Sequence, residues 1–255
     1  MMIWHSSVSG DVRVTVPGRE ALLTDLTEKF ENRSGFSVAT LNLDHVVKLK
    51  RDPAFAEAYA AQTHVTADGN PIVWLSRLAE QEVSLVPGSE LIAPLAEIAA
   101  EKHVPVALFG ATTESLEAAA DALQGRYPGL EIVLTLAPPM GFDPTGQAAD
   151  DAIDAIEQSG ARLVFLALGA PKQEIFAARA QERLTQTGFL SIGAGLDFIS
   201  GAQKRAPKWV RAIAGEWLWR MLGNPRRLAA RYGACLAILP RLTVSALSAR
   251  KNART

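Results

Sequence analysis

The sequence predicts an α/β protein with a parallel sheet at its centre, a mixed α/β N-terminal lobe and a helical C-terminal appendage. Three observations lead there. From Val104 onward, near-continuous apolar runs alternate with amphipathic stretches, the mark of βαβ units whose sheet is covered on both faces. The first hundred residues mix strand and helix patterns less regularly. After Gly201 strand-like runs stop and only helical patterns remain. This divides the chain into an N-terminal lobe over 1–103, a regular βαβ lobe over 104–200 and an appendage over 201–255.

Taken in order, DVRVTV alternates as a strand, and REALLTDLTEKFENRSG reads as a helix closed by glycine. FSVATLNLD reads as a strand, DPAFAEAYAAQ as a helix and THVTADG as a short strand. NPIVWLSRLAEQ and GSELIAPLAEIAAEK read as helices. VPVALFGAT is a buried strand entering a turn, and Thr113 is placed to cap the helix ESLEAAADALQGRY. LEIVLTLAP, ARLVFLALG and GFLSIGAG are further strands. GQAADDAIDAIEQSG and PKQEIFAARAQERLTQTG are the helices between them, with Pro171 at the start of the second. Residues 206–222 and 225–239 read as two helices separated at Gly223-Asn224-Pro225, where Asn224 can cap and Pro225 can begin the second.

The 255 residues suffice for a real core, and 48% hydrophobic with 21% charged residues excludes a disordered or fibrous chain. MMIWHSSVSGDVRV has neither the basic leader nor the apolar run of a secretory signal, and no uninterrupted apolar run is long enough to span a bilayer. The single Cys235 excludes an intrachain disulfide and fits a reducing cytoplasm. His5, His45, His64 and His103 lack zinc-ligand spacing, so no metal site is expected.

A net charge of −1 conceals a strong asymmetry. From Gly201 onward there are 12 Lys and Arg against one acid, Glu216; residues 1–200 hold 14 bases against 26 acids. A basic tail on an acidic body suits either an anionic partner or docking onto the body itself. Trp209, Ile213, Trp217 and Met221 recur at four-residue spacing among these bases, with Trp219 alongside. Such a stripe either packs on a core or lies in a membrane interface. Near an anionic leaflet each base contributes about 1 kcal/mol, so a handful gives reversible attachment.

Asp68, in HVTADGNPIVW with Gly69 and Asn70 behind it, reads either as part of a turn or as a carboxylate at the carboxyl end of a strand, where open α/β folds place ligands. GAGLDF, with Gly193 and Gly195, lacks the third glycine of a dinucleotide fingerprint. FGATTES offers Gly110 and a helix N-terminus, and neither turn is a P-loop. Gln173 and Glu174 fall in the first turn of a helix, where glutamate favours the helix dipole and glutamine can hydrogen-bond a sugar or base. Asp150, Asp151 and Asp154 read as a solvated helix face. Arg227 and Arg231 share a helix face and, with Arg220, can grip a diphosphate. An NAD(P)-dependent oxidoreductase and a non-catalytic nucleotide-sugar binder stay open as alternatives. The basic tail contains no recognised nucleic-acid module, so no nucleic-acid partner is expected.

With those residues in view, the chain resembles the WecG/TagA/CpsF glycosyltransferases, bacterial enzymes of cell-envelope polysaccharide synthesis. The matching pieces are Thr40–Asn42, Asp68–Gly69, Pro87–Leu91, Leu108–Thr112, Gly169–Glu174, Gly193–Gly201, Arg205–Pro207, Glu216–Arg220 and Asn224–Tyr232, in order from about residue 10 to 240. The resemblance implies a Rossmann-like core and inverting, metal-independent transfer from a UDP-sugar to an undecaprenyl-diphosphate-linked saccharide. It needs no cofactor beyond that donor. It implies a cytoplasmic enzyme held peripherally on the inner face of the plasma membrane by Trp209, Trp217 and Trp219, and admits a homo-oligomer. It makes Asp68 the base, gives Thr40, Asn42 and Gln173 donor or acceptor contacts, and gives Arg205, Arg220, Arg227 and Arg231 phosphate contacts. Where the family often has Arg-Val-x-Gly-Ser-Asp, this chain has Leu85-Val86-Pro87-Gly88-Ser89-Glu90, which opens the donor from N-acetylmannosamine to another hexose or a uronic acid.

Overall fold

Six parallel strands form the sheet, and their composition explains their places. The computed structural model describes residues 2–203, 206–207, 210, 215, 219 and 225–253. The chain begins with a small antiparallel hairpin of β1 (His5–Ser7) and β2 (Gly10–Val12). It continues through α1 (Arg19–Glu31), β3 (Phe36–Leu41), α2 (Leu43–Leu49), α3 (Pro53–Ala60), β4 (His64–Ala67), α4 (Asn70–Leu78) and α5 (Gly88–Glu101). Next come β5 (Val106–Gly110), α6 (Thr113–Arg126), β6 (Ile132–Leu136), α7 (Gln147–Ser159), β7 (Leu163–Ala167), α8 (Lys172–Arg183), β8 (Gly188–Ser191) and α9 (Gly195–Ile199). The last described element is α10 (Pro225–Ala253).

The sheet order is β4-β3-β8-β7-β5-β6, with every pair parallel. Strands from before and after residue 104 therefore share one sheet. β3, β5 and β8 are buried along their whole length, as strands covered on both faces must be. β6 alternates between half-buried and exposed residues, as an edge strand does. Neighbouring strand residues feed opposite faces. Val38, Leu108 and Phe165 pack with α1, α5 and α6, while Phe109, Val164 and Leu166 pack with α7 and α8. On that second face, Ala39, Leu41 and Val65 pack with α2, α3, α4 and the C-terminal part of α10.

Several local expectations change. The predicted strand DVRVTV is a strand only to Val12; beyond it Thr15 reaches Val65 through its backbone N–H and its hydroxyl oxygen. Thr112, not Thr113, caps α6, accepting from the Ser115 N–H at 3.3 Å. The acidic face of α7 is paired rather than merely solvated, since Asp150 meets Arg179 and Asp154 meets Arg183 of α8.

Most of the helix placed at 206–222, and the break at Gly223-Asn224, lie outside the described residues. The helix placed at 225–239 runs instead to Ala253, through Pro240. An interior proline costs about 3 kcal/mol, and fully burying one leucine returns about 1.5–3 kcal/mol. Leu242 and Ala246 are buried in the α2–α4 cluster, which offsets the break. The expectation that nothing is long and apolar enough to span a bilayer is also revised. Leu228–Lys251 meets that test by length and composition, although Arg231 and Arg241 interrupt the apolar run. One side of this helix is occupied by the protein, and Leu236, Val244 and Leu247 on other sides are exposed.

Candidate active site

Because all six strands are parallel, their carboxyl ends lie along one edge, and the site residues gather there. β5 leads outward to β6 while β7 leads back to β8, so the connections diverge between β5 and β7. That divergence is where open α/β sheets form their ligand crevice.

Asp68 follows β4 directly. Its backbone N–H donates to the Leu41 carbonyl at 2.8 Å, and its half-buried carboxylate receives the Asn42 Nδ2–H at 3.4 Å. Asn42, immediately after β3, is committed on its other side as the cap of α2, its Oδ1 accepting from the His45 N–H at 3.0 Å. Asn42 thus ties the starts of two loops together and aims Asp68. Gly69, with φ of 103°, turns the chain into α4, which Asn70 begins. Thr40 is buried in β3, its methyl facing the start of α5 at Gly88. Leu85, partly exposed, bridges Ala67 at the end of β4, one residue from Asp68.

Two kinds of glycine line this edge. At Gly110 an added Cβ would meet the backbone of Ala167 at 2.5 Å, so close packing requires a glycine there, while at Gly195 it would meet the end of the Ile92 side chain at 2.6 Å, which would have to move aside. Gly169 and Gly193, with φ of 72° and 55°, have no atom within 4 Å of that position. They leave bare backbone after β7 and β8, where a ligand can approach.

Gln173 and Glu174 do not stand free in the crevice. Both are buried, Glu174 fully. Burial pushes the Glu174 carboxyl up to about 7, against the opposing effects of the Gln173 amide, its own backbone and Lys48. The first-turn position suggests only a dipole partner, and it conceals this burial. Beside them lies a polar cluster that sequence reading passed over. His45 Nδ1 and Tyr59 Oη are 3.3 Å apart, and burial above all drives the His45 pKa down to about 3, leaving the ring neutral. Burial, with the Glu174 and Asp68 charges, lifts the Tyr59 phenol well above its ordinary value. Asp44 binds Lys48 at 2.9 Å and Arg231 of α10 at 2.8 Å. The Asp44–Lys48 spacing of four and the Asn42–His45 spacing of three were the available signals in LNLDHVVKLK.

α10 packs on α2 and α4, the two helices that begin beside Asn42 and Asp68. A groove of about 340 Å³ opens between α2 and α10, lined by Lys48, Arg51 and Arg231 together with Asp44 and Asp52. Of the other tail residues, Arg205, Trp209, Trp217 and Arg220 lie outside the described residues. Arg227 lies on α10 with its side chain outside them, and Trp219 is exposed. Among the described residues no three His, Cys, Asp or Glu side chains converge as a metal site.

An open parallel sheet with a carboxylate and bare glycine turns along its carboxyl edge defines an α/β protein of the class that places its ligand along that edge. The chain belongs to the WecG/TagA/CpsF family of glycosyl transferases, whose family model matches residues 9–255, and it is a glycosyltransferase. It is 30% identical over 202 residues to the N-acetylglucosaminyldiphosphoundecaprenol N-acetyl-beta-D-mannosaminyltransferase of Staphylococcus aureus (strain MW2), covering 78% of this chain and 77% of that protein. It is 25% identical over 236 residues to the enzyme of the same name from Bacillus subtilis (strain 168), covering 91% and 87%.

Proposed function

We propose that the protein transfers a sugar, N-acetylmannosamine or another hexose or uronic acid, from a UDP-sugar to a saccharide carried on undecaprenyl diphosphate. The observation that carries this reading is the fixed Asp68 carboxylate on the same edge as the bare Gly169 and Gly193 turns. β4 and β7 are three strand spacings apart, about 14 Å, a span suited to an extended nucleotide sugar.

In the reaction the acceptor hydroxyl attacks the anomeric carbon from the face opposite UDP. Its proton passes to the Asp68 carboxylate as the new C–O bond forms and the bond to the diphosphate breaks, so the anomeric configuration inverts. The departing UDP takes the electron pair, and its developing charge needs fixed positive groups. The cation-bearing groove beside α10 supports arginines in that role, and with them a metal-independent mechanism. Release of UDP from a panel of UDP-sugars, with a lipid-diphosphate-linked N-acetylglucosamine acceptor, tests this. One donor should turn over, with the rate unchanged within twofold by EDTA. Turnover of none sinks the UDP-sugar donor reading, and loss of turnover in EDTA sinks the metal-independent one.

The enzyme works from the cytoplasmic side, bound peripherally to the membrane that holds its acceptor. The exposed Trp219 and the outward Leu236, Val244 and Leu247, with the basic tail, support this placement. Pelleting with anionic vesicles should occur at low salt and weaken as salt rises. Arg226→Glu with Arg241→Glu should reduce it at least tenfold, both arginines being exposed on α10. Equal pelleting of this variant, or equal binding to neutral vesicles, contradicts the electrostatic part.

A further inference from the structure

On the carboxyl edge the Gln173 side chain reaches two loops at once. Its Oε1 accepts from the Gly169 N–H at 3.2 Å and from the Gly193 N–H at 3.1 Å, so both lone pairs are used by backbone. The Gln173 N–H in turn donates to the Gly169 carbonyl at 3.1 Å, closing a reciprocal pair at the start of α8. The amide end, Nε2, donates to Glu174 Oε1 at 2.9 Å. Glu174 Oε2 is buried with no hydrogen-bond partner.

We propose that Gln173 and Glu174 form a brace that fixes the Gly169 and Gly193 turns relative to each other and so positions the backbone against which the nucleotide-sugar donor binds. They are positioning residues, and neither needs to touch the sugar. The proposal rests on the donor reading above for its functional half only. The chemistry is one of orientation. A carboxamide can turn over, and if Gln173 did so its NH2 would face two N–H donors. Glu174 prevents this by presenting an acceptor that only the NH2 end can satisfy. Protonation of Glu174 does not undo the arrangement, since the proton can sit on the unpartnered Oε2 and leave Oε1 as an acceptor. The other ionisable groups acting on Glu174 and its surroundings are Lys48 from α2 and Tyr59 from α3; the Gln62 amide donates to the Glu174 carbonyl. The glycines explain why a brace is needed. Each has left-handed backbone and open space where a side chain would stand, so packing does not hold either turn from the ligand side.

The test uses the full chain and two readouts, amide hydrogen exchange at Gly169 and Gly193 and the donor KM in UDP release. Glu174→Leu fills the same space and removes a buried ionisable group, so thermal stability should stay level or rise. It also removes the acceptor, so exchange at both glycine amides should accelerate at least tenfold and the donor KM should rise roughly tenfold, with kcat changing less. Gln173→Ala should give the same defect, and Gln173→Ala with Glu174→Leu should be no worse than either alone, because one unit has been broken. Gln173→Glu with Glu174→Gln exchanges the pair. The carboxylate at 173 can still accept both glycine N–H groups and the amide at 174, so this variant should recover protection and donor affinity. Exchange and KM within twofold of wild type in Glu174→Leu overturn the brace. So does a Gln173→Ala defect in turnover with both amides still protected, which would make Gln173 a direct contact. Should wild type turn over no UDP-sugar, the exchange result still decides the brace and only the donor reading falls.

Discussion

Asp68→Asn should lower kcat by about 10²–10⁴-fold, the range that a positioned general base contributes. The donor KM should change by less than about threefold, because the proton leaves the acceptor hydroxyl and not the UDP-sugar. The fold should be unaffected. The carboxylate accepts a long hydrogen bond from Asn42, at 3.4 Å, and an asparagine at this position can turn its carbonyl oxygen to the same donor. The backbone bond to Leu41 involves no side chain. Single-turnover transfer to a lipid-diphosphate saccharide, with a melting curve beside it, separates these effects. A kcat within threefold of wild type would remove Asp68 from the chemistry and leave the sheet edge without its base. A fall in kcat accompanied by a matching fall in melting temperature would make it a structural residue.

The place of Asp68 was legible because a parallel sheet leaves little choice. Once THVTADG is read as a strand within βαβ units, the residue after it lies on the carboxyl edge whatever the strand order. The order itself was not legible. β3, β5, β7 and β8 are all apolar runs buried in place, and nothing in Val, Leu and Phe distinguishes which pair should adjoin. Where the strands went was set by helix packing over long sequence separations. The length of α10 was hidden for a related reason. Pro240 is a local stop signal, and the burial of Leu242 and Ala246 that overrides it is a contact with residues nearly two hundred positions earlier.

Polar burial was the least legible feature. Gln173, Glu174, Asp44 and His45 all occupy first-turn helix positions, where acids and amides ordinarily face water and favour the dipole. The resemblance to the family placed Gln173 in the site, and the structure shows its oxygen already engaged by Gly169 and Gly193. The family pattern thus marks the residue without distinguishing contact with a ligand from support of the loops that contact it. Only the direction in which the carboxamide faces makes that distinction.

Glu174 also predicts a pH dependence of stability that can be isolated in one comparison. Its carboxyl has an ordinary value of 4.5 and is raised by burial to about 7 in the folded protein. Below 4.5 both folded and unfolded forms hold the proton, and there is no penalty. Between 4.5 and 7 the unfolded chain releases it while the folded protein retains it, so stability falls as pH rises, by about 1.4 kcal/mol per pH unit. Above 7 both forms are ionised and the penalty levels off at about 3 kcal/mol. His45 acts in the opposite sense. Its pKa falls from 6.5 to about 3, so its contribution is present above 6.5 and is lost as pH falls toward 3. The wild-type curve alone therefore mixes two slopes. In the difference between Glu174→Gln and wild type the His45 slope cancels, and the carboxyl slope remains. The melting temperatures should nearly coincide at pH 4.5 and diverge in favour of Glu174→Gln by roughly 5–10 °C at pH 8. A difference that stays constant from pH 4.5 to 8 would mean that Glu174 ionises as readily in the folded protein as in the unfolded chain, and that its burial is relieved by a partner or by water.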